Sequence, residues 1–318
     1  MADSPAPSAK DYPNKPLKII VPFAAGGPAD MLAQIVAEKF KESWGQPVEI
    51  EIRHGVNGIV GSAIGARAAP DGYTMIVAAS AHYINPSIYT GLPFDAVADF
   101  TPVAQLASGP NVVVFNPSVP VNSIADVIAY SKANPGKLRY ASGGHGSPSH
   151  LAGELFNMIA GTDLVHVPYK GHAAAGIALS EGVDVQLMFD AVFTCMSHIK
   201  NGDWKALAVT TGKRAKMLPD LPTIAEAGLP GYDVSPGMGM LTPRGTPVDI
   251  VEKLSQEIGR IMRLPDVVAR INNDGAEPIG NTPQEYAAYI KAEVEKWARV
   301  VKNAGVEVKP YPKDQAPA

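Results

Sequence analysis

Apolar positions along the chain fall into short β-branched runs that alternate with stretches of helical spacing. Lys18 to Val21 reads as a buried strand, and Met31, Leu32, Ile35, Val36 and Phe40 recur at helical spacing after it. Between them Pro22-Phe23-Ala24-Ala25-Gly26-Gly27-Pro28-Ala29-Asp30 is a strand-to-helix corner. Gly26 and Gly27 reach backbone angles closed to other residues, and Pro28 suits a first helical position because its missing N–H would have no partner there. The alternation continues with strands predicted over 48–52, 73–79, 111–115, 138–141, 164–167, 183–189 and 204–209. Helices are predicted over 59–68, 124–132, 151–159, 173–180, 192–200, 248–262, 266–273 and 283–302. Residues 80–86 read as a loop at a strand end.

This order predicts an α/β fold with mostly parallel sheets covered on both faces. The proline cluster Asn116-Pro117-Ser118-Val119-Pro120 and the extended stretch Tyr232 to Thr242 are the expected crossings between two lobes. Lobe 1 is therefore 12–116 plus 232–311, and lobe 2 is 117–231. Residues 1–11 and 312–318, with Tyr311 at the edge, are expected to be loose tails.

A second corner, Ser142-Gly143-Gly144-His145-Gly146-Ser147-Pro148-Ser149-His150, follows the strand at 138–141 and precedes the helix with Leu151, Leu155, Phe156 and Ile159. A glycine corner aims free N–H groups and the positive end of a helix dipole at one small volume, which suits an anion. One such corner is most simply a tight turn. Two of them, far apart in sequence, suggest two lobes facing one ligand.

The chain has 318 residues, 46% apolar, with a net charge of −4 and no basic stripe, which argues against nucleic acid and anionic membrane as partners. No apolar run reaches membrane-spanning length. Cys195, the single cysteine, lies in an apolar helical pattern and reads as a buried structural thiol. The seven histidines lack the spacing of a metal site, so neither a metal nor a cofactor is expected. The proline-rich start fits either a cytosolic protein or an exported one whose signal peptide has been removed.

The candidates have alternatives. Ser147 can donate its hydroxyl to a carboxylate or cap the helix opened by Pro148, and His150 can orient Ser147 or pack beneath the loop. Asp30 can accept from a ligand hydroxyl or amine, or complement its helix dipole. Ser80 and His82 end a strand on the same rim and are candidates for a distal ligand group, with ordinary loop hydrogen bonding as the alternative. Tyr169, Lys170 and Asp190 lie at strand ends of the second lobe. Lys170 either faces a second carboxylate, joins an ion pair, or is solvated. An enzyme reading, an α/β-hydrolase-like protein using Ser147 and His150 with Asp190, has the right residue types but lacks a Gly-x-Ser-x-Gly elbow.

Ordered motifs then carry a resemblance. Tyr12-Pro13-Asn14-Lys15-Pro16, Val21-Pro22-Phe23 with Gly26-Gly27 and Asp30, and Ala69-Pro70-Asp71-Gly72-Tyr73-Thr74 open the set. Ile84-Asn85-Pro86, Ser147 with His150-Leu151 and Glu154, Val167-Pro168-Tyr169-Lys170-Gly171, Met188-Phe189-Asp190 and Thr242-Pro243 with Gly245-Thr246-Pro247 complete it. Together they resemble the TctC/Bug substrate-binding proteins of tripartite tricarboxylate transport. The resemblance implies a type II periplasmic binding-protein fold, with two α/β lobes joined by two crossing strands and a ligand cleft between them. It also implies periplasmic capture of a small organic carboxylate for membrane permease subunits. The pair of glycine corners on separate α/β units points to a non-enzymatic monomer whose lobes close over the ligand, and polar groups at both ends of the predicted rim make a linear or aromatic dicarboxylate the first expectation, with an aromatic monocarboxylate or acidic amino acid next. The carboxylate would be held at Phe23, Ala24, Gly27, Pro28, Ala29 and Asp30 and at Gly144, His145, Gly146, Ser147 and His150, largely through backbone groups and bridging waters. His54 to Gly61 and His172 depart from the family's pattern. So does Gly237-Met238-Gly239, where a missing aromatic predicts a roomier or differently polar distal pocket.

Overall fold

Strand β1 (Leu17–Val21) sends alternate residues to opposite faces of its sheet. Ile19 and Val21 join a buried cluster with Leu32, Val36 and Phe40, while Ile20, equally buried, lies outside that cluster. Burial on both faces is why this strand reads as an unbroken apolar run. The structure is a computed structural model and describes residues 9–312.

The chain divides into two units. The first holds residues up to Ser108, Gly237–Ala298 and the chain from Val308; the second holds Gly109–Pro236 and Arg299–Glu307. In unit 1, β1 is followed by α1 (Pro28–Trp44), β2 (Val48–Ile52), α2 (Ile59–Ala66), β3 (Thr74–Ala78), α3 (Ser80–Ile88), β4 (Tyr89–Thr90) and β5 (Phe100–Ser108). Unit 2 then contains β6 (Asn111–Phe115), α4 (Ile124–Ala133), β7 (Arg139–Ser142), α5 (Pro148–Ala160), β8 (Val165–Pro168), α6 (His172–Glu181), β9 (Leu187–Ala191), α7 (Val192–Asn201) and β10 (Lys205–Val209). The chain returns to unit 1 with β11 (Gly237–Pro243), α8 (Val248–Ile261), α9 (Pro265–Asn273), β12 (Glu277–Pro278), α10 (Pro283–Asn303) and β13 (Lys309–Pro310).

Unit 1 is built on a six-stranded sheet in the order β12-β5-β11-β3-β1-β2 and unit 2 on a five-stranded sheet in the order β10-β6-β9-β7-β8. Both sheets are mixed, not mostly parallel: β1 pairs parallel with β2 and β3, but β11 runs antiparallel to β3 and β5. The cause is topological. The chain leaves unit 1 along β5 and comes back along β11, and two neighbouring strands that carry a chain out and back must be antiparallel. Gly237 pairs with Ser108 at the point where both leave the sheet.

This placement corrects the first expected crossing. Asn116 to Pro120 is a turn inside unit 2, held by the Asn116 side chain, which donates to the Leu179 carbonyl (2.9 Å) and accepts from the Ser118 amide (3.0 Å). Strand β6 belongs to unit 2 as well, so the lobe boundary falls at 108/109 instead of after 116, and the return at 236/237 instead of 231/232. Residues 299–307 go with unit 2. Two tail expectations are also revised: Lys253 donates to the Ala9 carbonyl (2.7 Å), and Tyr311 is buried with its amide on the Thr90 carbonyl (2.9 Å). The remaining tail residues, 1–8 and 313–318, lie outside the described residues.

Helices α8 and α9 supply Ile250, Leu254, Ile258, Val267 and Ile271 to the same cluster as β1 and α1, which makes unit 1 discontinuous in sequence. In unit 2, Val112, Val114, Ala141 and Met188 from the sheet pack with Leu179, Val192 and Cys195. Burial pushes the Cys195 thiol far up, so it stays protonated and structural.

Candidate functional site

In unit 1 the parallel strands β2, β1 and β3 end side by side, and the loops after them gather at one rim. The first corner follows β1. Ala24, Ala25 and Gly26 are exposed there, while Ala29 and Asp30 are buried in the first turn of α1. Pro28 stands at the start of that helix and no side chain caps it at Gly27, so its first amides, which have no intrahelical acceptor, have no side-chain acceptor from the cap either. Asp30 Oδ2 accepts from the Gly26 amide at 2.8 Å, which ties the corner to its own helix. Behind the corner lies α2. A Cβ on Gly58 would meet the Phe23 ring at 3.1 Å and one on Gly61 would meet the Pro22 backbone at 2.8 Å, so only glycine lets α2 press this close. That support escaped the sequence reading, although the unusual His54 to Gly61 segment marked the place.

Ser80 and His82 are not loop residues. They lie in α3, with Pro86 inside the helix, and both are buried. His82 Nε2 donates to the Ala96 carbonyl (3.0 Å), leaving Nδ1 to accept from the Ser62 hydroxyl (3.3 Å), and the ring stacks on Phe94. With both nitrogens engaged it offers nothing to a ligand, and burial lowers its pKa to about 4.

In unit 2 the parallel strands β8, β7 and β9 likewise end together. The second corner, after β7, is tightly wired to itself. The Gly143 amide donates to Ser149 Oγ (3.2 Å), Gly144 to Ser142 Oγ (3.1 Å), Gly146 to His150 Nδ1 (3.0 Å) and Ser147 to the Gly144 carbonyl (3.2 Å). Four of its amides are therefore spent internally, and the expectation of a corner gripping mainly through backbone N–H groups is revised for this half. Ser147 caps α5, its Oγ accepting from the His150 amide at 3.3 Å. His145 turns its ring to the Glu307 carbonyl (2.9 Å).

His150 is buried beneath the corner and stacks on His166 with ring centroids 3.7 Å apart. Burial first, then the neighbouring imidazoles of His166 and His145, push its pKa down to about 3; burial holds His166 near 4. His166 itself meets Ser142 Oγ at 2.6 Å. Tyr140 donates to Glu154 Oε1 (2.6 Å), whose carboxyl burial shifts upward.

Asp190, at the end of β9, accepts from its neighbour Ala191 (2.8 Å), from Thr194 (2.9 Å) and from His172 Nδ1 (2.8 Å). Sequence reasoning missed this last partner, for which the only signal was the unusual histidine after Lys170-Gly171. Tyr169 packs on the unit 2 core, and Lys170 is exposed, in keeping with its solvated reading. Neither Asp190 nor the His150 ring serves Ser147 as a base, so no hydrolase triad forms. Ser147→Ala should lower stability by about 1 kcal/mol through loss of the cap, read as a small drop in thermal midpoint.

The sequence profile of the tripartite tricarboxylate transporter family receptor, TctC, matches residues 32–306. The chain belongs to the TctC family. BugT of Bordetella pertussis (strain Tohama I) is 34% identical to it over 304 residues, 95% of this chain and 93% of that protein. Among solved structures, R. palustris Rpa4515 with adipate is 36% identical and has a TM-score of 0.81, covering 95% of this chain and 100% of that one. MatC (Rpa3494) from Rhodopseudomonas palustris with bound malate is 33% identical with a TM-score of 0.76, covering 91% and 100%. TctC proteins are periplasmic solute-binding receptors, not enzymes, and work with the membrane components of a transporter. The type II periplasmic binding-protein fold expected from the motifs, with two lobes, is the fold of this TctC chain. Among the described residues no helix is long and apolar enough to cross a membrane.

Proposed function

We propose that this TctC receptor captures a small organic carboxylate in the periplasm, as a monomer, and delivers it to the permease subunits of a tripartite tricarboxylate transporter. A dicarboxylate, linear or aromatic, is the first class of ligand. The observation that carries this reading is the first corner: an exposed glycine turn on an uncapped helix N-terminus, backed by α2, which presents amides and a dipole suited to a carboxylate. The relatives solved with adipate and with malate support it, since both ligands carry two carboxylates. Charge-assisted hydrogen bonds contribute about 1.5–3 kcal/mol each, so a few of them reach the roughly 8 kcal/mol of micromolar binding.

In unit 2 the second corner offers Ser147 and the amides left over from its internal hydrogen bonds. Ligand contacts made only in a closed state shift the population of the two units towards closure. A thermal-shift screen of mono-, di- and tricarboxylates tests the ligand class. A dicarboxylate at about 100 times its dissociation constant should add about 2.7 kcal/mol, a rise in melting temperature of roughly 4 °C. If no carboxylate raises the midpoint, the reading fails. Small-angle scattering with the best ligand should report a monomer that becomes more compact.

A further inference from the structure

We propose that His172, held by Asp190, is a proton-gated anion contact of the second corner, so that carboxylate capture by this receptor is coupled to uptake of one proton. The inference rests on the carboxylate reading above and assigns it a residue. His172 opens helix α6, whose N-terminus at Gly171 has no side-chain cap. Its Nδ1 lies 2.8 Å from Asp190 Oδ1, and this contact fixes the ring so that Nε2 is the free nitrogen. Nε2 and Cδ2 rest against the corner itself, 3.0 and 2.9 Å from where a Cβ on Gly143 would stand. The Gly171 amide donates to the Gly143 carbonyl (3.2 Å), which locks the two loops together. The His172 side chain is 46% exposed, so an anion at the corner can reach it.

The chemistry follows from the amides already spent. Gly143, Gly144, Gly146 and Ser147 direct their N–H groups inward, and a carboxylate arriving there needs other donors. Neutral His172, with Nδ1–H on Asp190, would meet it with a lone pair on Nε2, which repels an anion. Protonated His172 meets it with a charged N–H. Asp190 favours that protonated form: its hydrogen bond raises the His172 pKa above the ordinary 6.5, against a smaller lowering by burial. Other titratable groups on the elements packed around it are Tyr169 and Lys170 in its approach loop, His145 in the corner, His166 on β8 and Cys195 on α7. Among them all, only the Asp190 carboxylate acts on the ring. Asp190 is a positioning residue here, buried and fixed by Thr194 and by the Ala191 amide.

Two measurements on the full chain test the idea, with adipate and malate as probes. Calorimetric titration between pH 6 and 9 should show affinity falling by up to tenfold per unit once pH exceeds the His172 pKa. His172→Gln, which keeps a donor for Asp190 but never charges, should bind about tenfold more weakly at pH 6 and show a flat profile. Asp190→Asn should move the break in the profile to lower pH. NMR titration of the wild-type histidine rings, with the His172 signal identified by its loss in His172→Gln, should show a pKa that rises when the probe is bound. A bound probe with an unchanged His172 titration and a flat wild-type profile overturns this inference and leaves the carboxylate receptor standing. If adipate and malate do not bind, the best binder from the mono-, di- and tricarboxylate screen takes their place as the probe, and a screen in which nothing binds removes both.

Discussion

Gly239→Val is expected to lower the melting temperature by about 5–7 °C, corresponding to roughly 3–5 kcal/mol of stability. A Cβ at position 239 would stand 2.3 Å from the Cζ and hydroxyl of Tyr286, a side chain with no exposure. That hydroxyl lies 2.6 Å from the equally buried hydroxyl of Tyr83. The ring cannot retreat without opening a cavity and breaking this pair, so overpacking and an unsatisfied buried hydroxyl add together. Gly91→Ala is the contrast: φ is +71° there but nothing lies within 4 Å, and the expected cost is only the left-handed backbone term of about 1–2 kcal/mol. A double-mutant cycle of Gly239→Ala with Tyr286→Leu should give a coupling energy above about 1 kcal/mol. Additive effects would mean that the two positions do not share the space.

The same contact bears on the two alternatives expected at Gly237-Met238-Gly239, a roomier pocket or a differently polar one: the space beside these glycines is filled, and by rings that carry hydroxyls. Tyr286 and Tyr289 of α10 fill that space, Tyr289 standing 2.5 Å from a Cβ on Gly237, as an aromatic on β11 itself would have done. Sequence could not show it, because the partners are joined only by the tertiary packing of α10 on β11. Local features fared differently. Strand runs such as Leu17–Val21, helix periods such as that of α1, and both glycine corners are written in consecutive residues, and they appear where the periodicity places them. Strand β5 was missed because Pro102 interrupts it, and Pro102 indeed sits beside a register irregularity between Met240 and Leu241 of β11. Helix α3 was read as a loop because of Asn85-Pro86; Pro86 stands two residues before its end, so the i−4 bond that it cannot make is lost only in the last turn and the helix stops there. At the candidate site the corner positions were legible. The wiring of the second corner was not, since Ser142 meets His166 across the β7–β8 register and His172 meets Asp190 across two strand ends.

Acidification from pH 7 to pH 5 should lower the melting temperature by about 5–10 °C, well before ordinary carboxylates titrate. The cause is His82, His150 and His166, whose folded-state pKa values are about 4, about 3 and about 4 because they are buried. Unfolded, each would titrate near 6.5. Below that pH the unfolded chain binds more protons, so the stability these residues contribute is complete above pH 6.5 and is lost as pH falls towards their folded values. Near pH 5 the fully buried His82 alone accounts for about 2 kcal/mol. His150 adds a similar amount, and the half-buried His166 adds less because solvent screens it. His172 works in the opposite direction, favouring the folded state at low pH, but one raised group does not offset three depressed ones. Protonation also has a local consequence: His150 Nδ1 would turn from acceptor to donor and face the Gly146 N–H that it now receives. With a folded-state value of about 3 this happens only well below pH 5, so between pH 7 and 5 the second corner of the folded protein keeps its shape, and carboxylate affinity should rise as pH falls and His172 becomes charged. His150→Asn, which keeps an acceptor for Gly146 but does not titrate, should flatten part of the acid slope. A melting temperature that stays constant from pH 7 to pH 5 would show that these imidazoles are protonated in the folded protein at no cost.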